Sequence, residues 1–249
     1  MSEMLPLFPL GTVLYPGLLL PLHIFEERYR QLVRDLLANG EAPRFGVVAI
    51  REGRETGVSG VSALYPVGCT AVLRQVQKYP DGRYDIVTVG VQRFRLLTLD
   101  DSQPYLQGEV ELLPEEAGDP AEAQLAASAV RPAFTGYLRA LAALAQHDPE
   151  QPGRAPQAAA DERAAGNGGE AEPGAEQTPD LPAAPVALSY VIAALMVVDL
   201  PDKQALLAEP DAVGRLAAER AMLAKETGML RSLTSAPAPE LRYSPYSNN

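Results

Sequence analysis

The hydrophobic pattern at the start of the chain changes from short extended pieces to a helical period. Proline and glycine interrupt the apolar run repeatedly, which predicts two short strands, Leu5 to Phe8 and Thr12 to Tyr15, joined by turns. A helical face then follows at i, i+4, i+7 and i+11: Phe25, Tyr29, Leu32 and Leu36. Asn39-Gly40 is typical of the end of such a helix.

The next seventy residues have the alternating pattern of a β-sheet. Phe45 to Ile50 predicts one strand, and two long β-type runs flank Pro80-Asp81-Gly82, which predicts a hairpin. Gly90 interrupts the second run and indicates a bulge or sharp bend, as in a sheet that curls into a barrel. A further strand is predicted from Tyr105 to Leu113. We therefore expect a mostly β domain, residues 1–117, with one early helix packed on it.

The pattern becomes helical after residue 117. Asp119 as N-cap, Pro120 at the first helical position and Glu122 form a helix start, and Pro132 is expected to kink or break the helix. Three later helices are predicted within "VALSYVIAALMVVDL", "LPDKQALLAE" and "DAVGRLAAERAMLAKETGMLRSL". The expected fold class is α+β, with a mostly β domain followed by a C-terminal helical bundle.

Composition divides the helical part into segments. Residues 148–186 contain no aromatic residue and carry eight acidic and two basic side chains, a net charge of −6. Such a segment buries too little apolar surface to offset its ordering entropy, so we expect a disordered acidic linker, either a tether or a docking site for a basic partner. The predicted helical domain then comprises residues 118–147 and 187–234, and residues 235–249 form a flexible tail.

Overall charge and cysteine content exclude several classes of protein. The 249 residues carry a formal charge of −11 and include only three lysines, which opposes binding to nucleic acid. The single cysteine, Cys69, allows no internal disulfide and favours a reducing cytoplasm. Because prolines break the opening apolar stretch, we expect neither an ordinary signal peptide nor a membrane span.

The sequence offers little catalytic chemistry. No Gly-Lys dipeptide occurs, so a phosphate-binding loop of the usual type is absent from the sequence, and His23, His147 and Cys69 lack the spacing of zinc ligands. We expect no metal, no cofactor and no catalytic site. Arg93 and Arg95 lie two apart on one strand and so share a face, where they are solvated, paired with carboxylates, or form an anion or partner contact.

Four stretches in order resemble the LON substrate-binding domain, the N-terminal domain of Lon proteases, which also occurs alone in bacteria. They are "LPLFPLGTVLYPGLLLPLHIFEERYRQLV", "RFGVVAI", "VGCTAVLRQVQKYPDGRYDIVTVGVQRFRLL" and "VDLPDKQALLAE". The resemblance is close over residues 4–116 and looser over 119–147 and 186–233. It implies a pseudo-barrel similar to PUA folds, followed by helices. Glu27 departs from the family pattern, which usually has proline at this helix start.

The resemblance implies a non-catalytic role. Lon proteases continue into an ATPase and a Ser-Lys protease domain, whose catalytic residues have no counterpart in this sequence. We therefore expect a protein without ATPase or protease activity that recognises unfolded or misfolded polypeptides in proteostasis, alone or with a protease. An RNA-binding PUA-like module and a small-molecule pocket protein are the alternatives, and the sequence leaves the oligomeric state open.

The candidate binding residues lie in "YPGLLLPL". Three consecutive leucines in a segment bounded by proline and glycine cannot all face a barrel interior, since side chains alternate along a strand. We predict that Tyr15, Leu18, Leu19 and Leu20 contact exposed apolar segments of other polypeptides. The alternative is that neighbouring helices cover all three leucines.

Overall fold

The computed structural model describes residues 2–38, 43–53, 61–147 and 179–235, and shows strands followed by helices. The strands are β1 Ser2–Leu10, β2 Leu19–Ile24, β3 Arg44–Gly53, β4 Val61–Leu64, β5 Val67–Lys78, β6 Tyr84–Asp100 and β7 Gln107–Leu112. The helices are α1 Glu27–Ala38, α2 Pro120–His147, α3 Pro185–Leu195, α4 Leu200–Ala208 and α5 Ala212–Ser235. The predicted α+β class, with strands followed by helices, is confirmed.

The chain forms two compact units. The first comprises Met1–Val130 and Leu181–Arg220, and contains all seven strands, α1, α3 and α4. The second comprises Arg131–Asp180 and Ala221–Asn249. Most of the predicted acidic linker, residues 148–178, and the predicted tail beyond residue 235 lie outside the described residues. Within the described residues, the helices lack the length and apolar character needed to cross a bilayer.

The opening stretch differs from its prediction in one strand. β1 contains the predicted piece Leu5 to Phe8, but Thr12 to Tyr15 does not form a strand. Leu14 and Tyr15 are buried, and the main chain then turns at Pro16-Gly17, where Leu18 N–H donates to Tyr15 O. The segment is apolar because it is buried in the core. Its composition is therefore typical of a strand, although it pairs with no neighbouring strand.

Strand pairing runs around a barrel that is not fully closed. β1 pairs antiparallel with β7 through residues 2–6 and then parallel with β3 through residues 7–10. β7 pairs with β6, β6 with β5 and β5 with β3, all antiparallel. β2 adds to the same sheet by pairing antiparallel with the first half of β6.

The barrel core follows from alternation along these strands. Tyr84, Ile86 and Thr88 of β6 are buried, whereas the residues between them lie at the surface or are partly covered. α1 closes one end with its apolar face, and its Tyr29 ring stacks on Phe8 of β1 at 4.0 Å between ring centroids. Each fully buried side chain of this size stabilises the fold by about 1.5–3 kcal/mol relative to exposure.

Gly82 and Gly90 lie at the turn and at the bulge that the sequence predicts. Gly82 adopts a positive φ of 85° in the hairpin between β5 and β6. Gly90 lies at a bulge of β6, and a Cβ atom at this position would sit 2.3 Å from Tyr15 O. Gly90 therefore allows the chain leading into β2 to cross close to the sheet.

The helix starts also follow local sequence signals. Asp119 caps α2 by accepting hydrogen bonds from the N–H groups of Ala121 and Glu122, as predicted. Asp199 caps α4 in the same way. α2 continues through Pro132, so the predicted break is wrong. α3 ends at Leu195 and is shorter than the apolar run that predicted it.

Candidate functional site

The barrel wall has an open seam between β1 and β2. Along β6, residues 84–89 pair with β2, and residues 94–100 pair with β7. β7 pairs on its other side with β1, but within the described parts of the chain β2 pairs with β6 alone. Beyond the end of β7, the open edge of β2 and the last residues of β1 border the seam.

An apolar groove occupies this seam. It has a volume of about 140 Å³ and is lined by Phe8, Pro9, Leu10, Leu22, His23, Ile24, Phe25, Glu26 and Tyr29. We call it the seam groove. An apolar cavity of about 150 Å³ can hold a molecule of the size of benzene. The seam groove therefore has room for one aliphatic or aromatic side chain.

Polar side chains also border the seam groove, where His23 and Glu26 line it. His23 Nδ1 lies 2.5 Å from Asp85 Oδ1, and the hydroxyl of Tyr79 donates to Asp85 Oδ2 at 2.5 Å. These hydrogen bonds, that from Tyr79 first, lower the pKa of Asp85 and keep it ionised. Phe25 stacks beside His23 and is 53% exposed. The rim thus combines an exposed aromatic ring with a carboxylate that is already paired.

The three predicted leucines divide between two faces of the sheet. Leu18 and Leu20 are partly buried and pack against the barrel core, together with Leu22. Leu19 points outward and is 67% exposed. The structure therefore exposes Leu19 on the outer face of β2, while Leu18 and Leu20 lie on the side of the core. Their role in peptide binding stays a prediction.

Tyr15 lies inside the molecule, which corrects its prediction as a surface contact. Its hydroxyl donates to the backbone oxygen of Lys203 in α4 at 2.8 Å, and its ring lies 6.0 Å from that of Tyr190. Only 1% of Tyr15 is exposed, and burial raises the pKa of its hydroxyl. Tyr15 therefore joins the barrel to α3 and α4 and cannot contact a bound polypeptide directly.

Arg93 is also buried, which corrects its prediction as an anion or partner contact. Its Nε donates to Glu115 Oε1 at 3.1 Å, and its terminal nitrogens donate to backbone oxygens of four residues. These four are Pro114, Leu207, Glu209 and Pro210. Arg95, by contrast, is exposed and pairs with Glu111 at 3.2 Å. The two arginines share a strand face, but the end of α4 covers only the first.

A second buried arginine binds the same helix end. Arg215 of α5 donates to the backbone oxygens of Leu206 and Glu209 and to Ser189 Oγ, at 2.8–2.9 Å. Its guanidinium also lies 4.2 Å from the centroid of the Tyr190 ring. The last carbonyl groups of a helix lack intrahelical partners and carry partial negative charge, so two cations stabilise this end of α4.

Glu219 was not identified from the sequence. It is fully buried one turn after Arg215, and among the described residues neither of its carboxyl oxygens has a hydrogen-bond partner. Burial raises its pKa to about 9, although the charge of Arg215 acts in the opposite direction. A signal was present, since Glu219 continues the spacing of buried Ala212, Leu216 and Leu223.

The described residues contain no group of three or more histidine, cysteine, aspartate or glutamate side chains placed to hold a metal ion. Cys69 is fully buried in β5, and burial raises the pKa of its thiol to about 12. The thiol is therefore protonated at neutral pH and is a weak nucleophile.

Lon proteases are among the known proteins with similar sequences. The chain is 32% identical over 139 residues to Lon protease 2 of Syntrophobacter fumaroxidans, and 27% identical over 136 residues to Lon protease of Escherichia coli. These alignments cover 55% and 54% of this chain, but only 17% of either protease. The chain thus matches a small part of these longer proteins.

Solved structures show the same fold. A Lon N-terminal domain protein from Xanthomonas campestris aligns with 89% of this chain and 98% of its own, with a TM-score of 0.55 and 22% identity. The N-terminal domain of a Mycobacterium avium complex Lon protease aligns with 91% of this chain and 98% of its own, with a TM-score of 0.56 and 16% identity. Residues 4–225 match the family described as the ATP-dependent protease La (LON) substrate-binding domain, and the chain belongs to that family.

Proposed function

We propose that this protein binds exposed apolar segments of unfolded or misfolded polypeptides in the cytoplasm, without ATPase or protease activity of its own. The binding surface comprises the seam groove and the outer face of β2 around Leu19. Bound polypeptides are held for refolding or delivered to a protease. The family description, a substrate-binding domain of an ATP-dependent protease, supports binding of polypeptide substrates.

One observation carries this proposal. An apolar groove of about 140 Å³, lined in part by the exposed Phe25, lies beside the edge of β2, and the exposed Leu19 lies at the start of the same strand. Folded proteins bury their apolar side chains, so a surface of this kind selects chains whose apolar residues are exposed. Such chains are unfolded or misfolded.

Charge favours a polypeptide over RNA as the ligand. The net charge of −11 repels a phosphate backbone. Arg93, which was predicted as an anion contact, donates its hydrogen bonds to Glu115 and to backbone oxygens inside the molecule.

Binding of a permanently unfolded protein tests the proposal. A reduced and alkylated protein, labelled with a fluorophore, is titrated with the full chain, and its native form serves as the folded control. We expect the unfolded form to bind and the native form not to bind. Equal binding of both forms, or of neither, would overturn the proposal.

Two surface substitutions then locate the site. Leu19→Asp and Phe25→Ser change exposed side chains, so both variants should fold, and each should weaken binding at least fivefold. Leu125→Asp is the matched control, because Leu125 is a 72% exposed leucine on α2. If Leu125→Asp weakens binding as much as Leu19→Asp, the proposed surface is wrong.

The absence of catalysis has its own test. The unfolded protein is incubated with the full chain, with and without ATP and Mg²⁺, and its length and the release of phosphate are followed. We expect neither cleavage nor phosphate release. Cleavage that follows the protein through purification would contradict the non-catalytic part of the proposal.

A further inference from the structure

We propose that the bound polypeptide segment adds to the sheet as an extra β-strand along the open edge of β2, with one apolar side chain in the seam groove. This inference rests on the proposed function and specifies how the segment is held. The occupant is a short extended segment with β-type side chains and basic flanking residues.

The hydrogen-bond phase of β2 shows which main-chain groups face the seam. Gly90 N–H donates to Leu18 O at 2.9 Å, and the register pairs Leu20 with Thr88 and Leu22 with Ile86. In an antiparallel pair, hydrogen-bonded positions alternate with positions that point to the other side. The even-numbered residues of β2 therefore bond to β6, and the odd-numbered ones face the open edge.

The open edge offers a ladder of main-chain groups. In the described parts of the chain, no other segment forms a hydrogen bond to the backbone of Leu19, Pro21 or His23. They present three carbonyl oxygens and two N–H groups, since Pro21 has none. Equivalent groups recur every two residues, about 6.8 Å along a strand. An extended polypeptide backbone matches this spacing and this alternation of donors and acceptors.

Pro21 disfavours pairing of β2 with β2 of a second copy, and it leaves the edge open to other segments. Proline is tolerated in a sheet where its nitrogen faces away from the neighbouring strand, as it does here. It also removes the central donor of the edge, which weakens pairing of two β2 strands more than pairing with a strand that keeps all its donors.

The seam groove supplies selectivity to this main-chain contact. Strand addition takes its affinity from backbone hydrogen bonds and its specificity from pockets for alternate side chains. The seam groove is such a pocket, lined by Leu22 and Ile24 of β2 and by Phe8 of β1. The net charge of −11 favours a segment flanked by lysine or arginine.

Alternate N-methylation of a synthetic peptide tests strand addition. The probe is KVTFTVK, acetylated, amidated and labelled with a fluorophore, together with two N-methylated forms. One form is methylated at the amides of both valines and the phenylalanine, the other at those of both threonines. Only alternate amides of a strand face one neighbour. We expect one methylated form to lose at least tenfold in affinity and the other to stay within threefold of the parent.

The outcomes separate this inference from the proposed function. If the parent binds and both methylated forms bind equally, strand addition is wrong while polypeptide binding stands. If the parent does not bind at 1 mM protein, both are wrong for segments of this class. Leu19→Asp should weaken the parent, and Leu125→Asp should not. A dimer in sedimentation that the parent peptide fails to dissociate would make a second copy the occupant and overturn the proposal.

Discussion

Replacing Glu219 by glutamine should stabilise the protein at neutral pH. Glu219 is fully buried, and neither of its oxygens has a hydrogen-bond partner among the described residues. The nearby donors of Arg215 are directed at Leu206, Ser189 and Glu209. An ionised carboxylate would therefore be desolvated without a partner, and burial raises its pKa to about 9.

The size and sign of the effect follow from proton linkage. Between pH 4.5, the ordinary value, and about pH 9, the folded protein keeps a proton that the unfolded chain releases. The free energy of unfolding therefore falls by about 1.4 kcal/mol per pH unit over this range. Below pH 4.5 the carboxyl is protonated in both states, so Glu219 causes no loss of stability there. At pH 7.5, three units above the ordinary value, the loss is about 4 kcal/mol. Glutamine does not titrate, so the Glu219→Gln variant does not lose this part of the free energy of unfolding.

Unfolding by urea at several pH values measures the effect. The wild type and Glu219→Gln are compared from pH 4.5 to 8.5 by circular dichroism, since the chain has no tryptophan. The advantage of Glu219→Gln should be near zero at pH 4.5 and grow with pH. An advantage that does not vary with pH would show that Glu219 is ionised in the folded protein, and would refute the reasoning.

Two further substitutions test the packing of the barrel. Arg93→Ala should destabilise the protein by about 3–5 kcal/mol in urea unfolding, because it leaves buried carbonyl groups and Glu115 without their donor, whereas exposed Arg95→Ala should cost less than about 1 kcal/mol. Equal losses would mean that the buried contacts contribute nothing. Gly90→Ala should lower the midpoint of thermal unfolding, since its Cβ would meet Tyr15 O at 2.3 Å, with a cost of about 1–3 kcal/mol. Gly136→Ala on α2, whose Cβ meets nothing within 4 Å, should raise the midpoint instead.

Much of the fold follows from local sequence signals. Alternation along β6 predicts its buried face, and Asp119 followed by Pro120 predicts the start of α2. Gly82 and Gly90 mark a turn and a close backbone approach, because each meets a local geometric demand. These features depend on residues within a few positions of each other, so the sequence contains the information directly.

The candidate site depends on contacts between distant parts of the chain. Arg93 and Arg95 are equivalent by strand alternation, and only the arrival of α4, more than 110 residues later, buries the first. Tyr15 is likewise buried by contact with residue 203. The seam between β1 and β2 has no local signature either. It arises from pairing along β6, where β7 ends before β2 begins.

The two arginines bound to the end of α4 have a consequence for synthesis on the ribosome. Arg93 leaves the ribosome long before the carbonyl groups of residues 207–210 that it binds, and Arg215 follows them. At roughly 5–20 residues per second, the interval between residues 93 and 215 is on the order of 10 s. During that interval Arg93 can bind Glu115 and the backbone oxygen of Pro114, but not the three carbonyl groups at the end of α4. The barrel therefore reaches its final stability only after the later helices have been made.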